Sequence, residues 1–234
     1  MLPLIAYHIS YYTKSYRYLA PLIAYVGFLL FIYTLSPNPV MESYAFSSVW
    51  LFAVAAWIAY GFADLEPGNQ QPVTVSHVGS ASAYHLSKLL TLLLIGALFS
   101  SFAVLYPTLA GKFDRSPSME EGIFAWVAHI GMYLLGTGCA LWFTERGFGK
   151  TQASLPAMIG VLVLSLASGK ALERLPDAFH FVRWLLPPAG IVSEVLTRQD
   201  RYAGWETTGA LMYAITYGVL ICGGYILRAA RKKF

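Results

Sequence analysis

Charge is what this sequence has least of. Asp, Glu, Lys and Arg together make up 12% of the 234 residues, while 57% are hydrophobic. That is about half the charged share of an ordinary globular domain. So few charges cannot cover the outside of a soluble fold of this size, which excludes a water-soluble globular protein. Six stretches, approximately 19–35, 44–63, 89–110, 122–143, 152–169 and 208–227, contain no Asp, Glu, Lys or Arg at all. A charge at the bilayer centre costs at least about 2.5 kcal/mol, and roughly 20 apolar helical residues cross the hydrocarbon core. The pattern predicts an all-α integral membrane protein with six transmembrane helices, the first and fifth being the shortest.

Cysteine is nearly absent too. Cys139 and Cys222 both fall in apolar stretches and no CxxC occurs, so they read as small buried hydrophobes rather than a disulfide or a metal site. No repeat, low-complexity tract or second domain stands out, and residues 1–234 read as one transmembrane domain. Ser36-Pro37-Asn38-Pro39 offers no small-x-small cleavage site, so the first span reads as retained rather than as a signal peptide.

Aromatics are plentiful: six Trp, 16 Tyr and 14 Phe suit two membrane–water interfaces. The few charges are also unevenly placed. Lys14, Arg17, Lys88, Arg146, Lys150, Arg228, Arg231, Lys232 and Lys233 fall on one side of the predicted spans, with only Asp64, Glu66 and Glu145 as acids. The short loops of the other side carry only Lys112 and Arg115 as basic residues. By the positive-inside rule both termini are expected in the cytoplasm.

Gly147-Phe148-Gly149-Lys150-Thr151 looks like the end of an ATP-binding P-loop. A working P-loop follows a strand and begins with Gly. Here Thr144 stands at the first position, and the preceding HIGMYLLGTGCALWF is a membrane helix. ATP binding at this loop is not expected, and Arg146 and Lys150 read as headgroup anchors.

Four further features invite a task. In the N-terminal segment, Leu2, Ile5, Ile9, Tyr12, Tyr16 and Leu19 recur at helical spacing, with His8, Lys14 and Arg17 off that face. This predicts an amphipathic interfacial helix over 1–18, either a plain anchor or a specific collar. The connection 64–88, DLEPGNQQPVTVSHVGSASAYHLSK, has a Pro67-Gly68 turn, Pro72 to open a short helix, Gly79 to close it and Ser82 to cap the third span. VTVSHV also alternates like a strand, and the segment is either a partner surface or an inert loop. In the connection 170–207, Asp177 is placed to cap a short helix carrying Phe179, Phe181, Trp184 and Leu185, stopped by Pro187-Pro188, with a second over about 189–199. His129 is the one ionisable side chain within a span besides Tyr and Cys, either a functional group or a packing histidine bonded to a neighbouring helix. Gly131, Gly136, Gly138, Gly218, Gly223 and Gly224 offer small faces for close helix approach.

The elbow ISYYTKSYRYLAP, the cytoplasmic segment between spans two and three, and the paired outer helices with LLPPAG before span six together resemble the permease subunit of an ABC exporter of the six-helix type-2 class. The resemblance is architectural and covers nearly the whole chain. It implies that QPVTVSHVGSASAY is a coupling helix docking on a separate ABC ATPase subunit, with Gln71, Thr74, His77 and Tyr84 as the exposed contact residues. It also implies a dimer of two permease chains, identical or paralogous, with spans two and five facing each other across the substrate path. ATP and magnesium would sit on the ATPase; this chain itself would hold no cofactor, have no catalytic site and bind no nucleic acid. Its setting would be a bacterial cytoplasmic membrane. Two other classes compete: a rhomboid-like intramembrane protease, for which Ser100, Ser101 and GSASA (79–83) lack the nucleophile setting, and an ATP-independent carrier or channel, for which acids within the spans are missing.

Overall fold

The computed structural model describes residues 1–149, 151–167, 185–198 and 204–232, and within them the secondary structure is entirely helical apart from turns and one isolated bridge. Among the described residues nine helices are bounded, in order: α1 (Leu2–Lys14), α2 (Leu19–Ile32), α3 (Val40–Ala63), α4 (Gln70–Val78), α5 (Ala81–Leu109), α6 (Met119–Trp142), α7 (Ser154–Ala167), α8 (Ala189–Thr197) and α9 (Gly204–Arg231). Four of them, α3, α5, α6 and α9, are long and apolar enough to cross a membrane. The pair α1 and α2 makes a fifth crossing if taken together, bent by 81° at the break. The described part of α7, 14 residues, covers about 21 Å. The expected short helix after Asp177 lies outside the described residues, as does Lys150.

The core is the α3–α6 pair, with α9, α5 and α8 packed around it. Glycines set how closely these helices meet. A Cβ on Gly136 would stand 2.2 Å from the Phe52 carbonyl of α3, one on Gly218 2.8 Å from Leu134 of α6, and one on Gly138 3.0 Å from Ile221 of α9. Gly223 is different: nothing lies within 4 Å of its Cβ position, so it serves no packing contact. The helix α8 is more than an interfacial cover. Ala189, Gly190, Val192, Val195 and Leu196 are buried, and a Cβ on Gly190 would meet the Leu166 carbonyl of α7 at 2.6 Å.

The connecting segments gather at two ends. At one, Asn38 and Lys112–Asp114 pair through backbone hydrogen bonds of 3.0 Å. Nearby, Ser118 and Glu121 form a reciprocal cap at the start of α6, and Arg115 grips the Glu121 carboxylate with two nitrogens. Such a cap satisfies the orphan N–H groups of a first helical turn. At the other end lie Arg17, Asp64, Glu66, Lys88, Arg146, Arg228 and Lys232. Arg17 bonds the carbonyls of Gly61 and Asp64 at 3.4 Å, and Arg228 that of Gly147 at 2.8 Å. We call this the basic end.

Candidate functional site at the basic end

The site is built on α5, which at 29 residues is about 43 Å long, well beyond a bilayer core of roughly 30 Å. Its first two turns therefore project past the apolar layer. They carry Tyr84, His85, Ser87 and Lys88, all buried against other elements. The helix begins about two turns before the apolar run does, its start capped by Ser80, which has extended backbone and accepts the Ala83 N–H at 3.2 Å. The cap is thus Ser80 and not the expected Ser82, whose position is already helical.

Opposite this turn, the chain leaves α3 and enters α4. Glu66 is 3% exposed, and its Oε2 lies 3.6 Å from Lys88 Nζ while accepting the Tyr84 hydroxyl. The Lys88 ammonium donates to the Ala63 carbonyl at 3.1 Å and sits 4.8 Å from the centre of the Tyr84 ring. Gln71 reaches back to the Glu66 carbonyl at 3.2 Å. An ion pair this dry is held because every charge has a second partner; breaking one side leaves an uncompensated buried charge.

The N-terminal helix closes the cluster. His8 Nε2 lies 3.0 Å from Ser87 Oγ, and the imidazole packs edge-on against Phe62 and Tyr84. Burial first, and the nearby Lys88 charge second, lower its pKa to about 4, so the ring is neutral at pH 7. Tyr7 is pushed up to about 12, by burial and then by the Glu66 carboxylate it approaches. Tyr11 donates to Gln70 of α4 at 3.3 Å. His8, expected off the contact face, is therefore part of it. The buried face of α1 is His8 and Tyr12, flanked by Leu4, Ile5 and Tyr11, while Leu2, Ile9 and Tyr16 are exposed.

On this base stands α4. It is a helix, not the strand that VTVSHV also allowed, and Gly79 ends it with φ of 73°, in the left-handed region glycine adopts without penalty. Pro72 falls at its third position rather than its first, where a missing N–H is still harmless. The four expected contact residues divide. His77 is exposed and Thr74 half-buried, but Gln71 and Tyr84 are buried. That corrects the expectation that all four are exposed: the latter two hold α4 to its base. The outward surface of α4 is instead Val73, Ser76 and His77, bounded by Gly79 and Ser80. Val73 and Ser76 were missed, though their spacing from His77 on a helix of this register was a usable signal.

The P-loop look-alike follows the C-terminus of α6, the wrong end of a helix for phosphate. Three of its N–H groups are already engaged: Gly147 and Gly149 bond the Thr144 carbonyl at 3.1 and 3.3 Å, and Phe148 that of Trp142 at 2.8 Å. His129 lies deep between α6 and α3, with Nδ1 2.6 Å from the Ala125 carbonyl and Nε2 2.9 Å from Ser47 Oγ. Both ring nitrogens are thereby engaged, Nδ1 within α6 and Nε2 across to α3. Among the described residues no group of three His, Cys, Asp or Glu side chains is placed to hold a metal ion.

No protein-family model, curated protein or solved structure matches this chain.

Proposed function

We propose that this chain is the membrane permease subunit of an ATP-driven exporter of the six-helix type-2 ABC class, and that α4 is the element that docks on a separate ATPase. One observation carries the reading: a nine-residue helix between the second and third spans turns Val73, Ser76 and His77 outward, is tied to α1 by the Tyr11–Gln70 hydrogen bond, packs on α5, and through Gln71 bonds the carbonyl of Glu66, whose side chain is held by Tyr84 and Lys88 of α5. A helix fixed in this way moves with the membrane helices it touches, which is what transmission from a soluble motor requires. In this reading α1 is the interfacial elbow, α2 and α7 supply the remaining crossings, and both termini face the cytoplasm.

The substrate path lies between two permease chains. Within one chain α3 leaves open only a narrow stripe that includes Glu42, Phe46 and Trp57, whereas α7 exposes Leu155, Ile159, Val163 and Leu164. ATP and magnesium belong to the partner ATPase, and no catalytic group is assigned here.

The test is co-purification in detergent with candidate ATPases from the genomic neighbourhood. A Val73→Glu, His77→Glu pair is expected to abolish capture of an ATPase that binds the wild type near one-to-one. Gln71→Asn, altered on the inner side, is expected to retain it. Failure of every form to capture an ATPase would overturn the reading.

A further inference from the structure

The last turns of α9 carry a site that the exporter reading does not use. Gly224, Leu227, Arg228, Arg231 and Lys232 line a groove of about 510 Å³. Their spacing of three or four residues puts them on one stripe of the helix, covering about 12 Å of its length. Along that stripe the chemistry changes from apolar to cationic. Leu220 and Leu227 are exposed, with Gly224 between them leaving a notch beside the Trp142 ring, 3.3 Å from where a Cβ would stand. Arg228, Arg231 and Lys232 follow.

The cations are not arranged for one another. Arg228 is fixed by its Nε bond to the Gly147 carbonyl and lies 5.7 Å from the Phe148 ring centre. Lys232 is turned to the Glu145 carbonyl at 2.5 Å, and Arg146 reaches the Lys232 carbonyl at 3.0 Å. Among the described residues no carboxylate forms an ion pair with Arg228, Arg231 or Lys232, and Arg231 makes no hydrogen bond to the protein. A cationic cluster at a helix C-terminus is favoured by the helix dipole. A helix end alone does not explain why the cluster opens onto an apolar notch.

We infer that this groove binds one anionic phospholipid, its phosphate between Arg228, Arg231 and Lys232 and an acyl chain along Leu227, Gly224 and Leu220. Guanidinium groups meet phosphate through paired N–H donors, and basic pockets at the ends of membrane helices hold anionic headgroups. The polarity of the stripe matches a lipid and not a free anion, because the apolar half would otherwise face nothing it prefers. The inference rests on the membrane character of α9 and is independent of the exporter reading.

The purified chain can be melted in detergent with a thiol-reactive fluorogenic probe, since Cys139 and Cys222 are both buried and become reactive on unfolding. Dioleoyl-phosphatidylglycerol is expected to raise the melting temperature by about 3 °C or more, as a ligand of the folded state does. Dioleoyl-phosphatidylcholine and inorganic phosphate are expected to leave it unchanged. Arg231→Gln should remove the shift, whereas Lys112→Gln, an equal loss of charge at the opposite end, should keep it. An equal shift with phosphatidylcholine, a shift with phosphate alone, or an undiminished shift in Arg231→Gln would each overturn the site. Native mass spectrometry gives a second reading on the wild type: one retained phosphatidylglycerol in preference to phosphatidylcholine is expected, and no preference would overturn the proposal.

Discussion

Taking the amine from Lys88 leaves the Glu66 carboxylate at 3% exposure with the Tyr84 hydroxyl but without its cation. Taking the carboxylate leaves an ammonium whose other contacts are the Ala63 carbonyl and the Tyr84 ring. Either change alone costs about 3–5 kcal/mol, because the remaining charge stays buried. Lys88→Met and Glu66→Gln are therefore each expected to lower the melting temperature strongly, and the double variant to recover most of the loss. A double-mutant cycle in one detergent measures the coupling; strictly additive losses would show that the two side chains do not act as a pair. Of this cluster only Tyr84 was singled out from the sequence, as an exposed contact residue implied by the resemblance; the ion pair was not legible. Glu66 and Lys88 lie 22 residues apart and read only as markers of sidedness. The available signal was Lys88 itself, two turns inside a helix that starts at Ala81 rather than at 89.

Among the elements, the long apolar runs were legible because a bilayer demands uncharged helices of a set length. The existence of α3, α5, α6 and α9 follows from that demand alone. What it could not specify was the partner of each helix face, since lipid and protein interior select the same apolar residues. The amphipathic stripe of α1 shows the consequence: the protein side of that helix is the one bearing His8 and Tyr12, and much of the apolar stripe points outward. Glycines carried part of the missing information, as two positions illustrate. Gly136→Ala would put a methyl group 2.2 Å from the Phe52 carbonyl, which is backbone and cannot step aside, so α3 and α6 must separate. A loss of about 3 kcal/mol or failure to fold is expected, beyond the usual cost of overpacking. Gly223→Ala, with nothing within 4 Å, should be neutral or stabilise α9 by up to about 1 kcal/mol. Melting curves of the two variants separate a packing glycine from an idle one; equal behaviour would contradict the close α3–α6 approach.

For the whole molecule the decisive quantity is orientation, because the same bundle could sit in a bilayer either way up. The two ends differ sharply in charge. Arg17, Lys88, Arg146, Arg228 and Lys232 gather at the end that carries α4, while Arg115 at the opposite end is neutralised by Glu121. Clustered positive charge resists transfer across the membrane, so the α4 end is expected to stay in the cytoplasm. Single reporter cysteines test this against a quiet background, since both native thiols are buried. Ser76→Cys, on the outward face of α4, should react with a membrane-impermeant maleimide only after the cells are opened. Asp114→Cys, exposed at the opposite end, should react in intact cells. The reverse pattern would turn the protein over, placing α4 beyond the reach of any cytoplasmic ATPase and removing the exporter reading with it. It would leave the lipid groove on α9 intact and merely move it to the other leaflet, so this one experiment separates the two proposals.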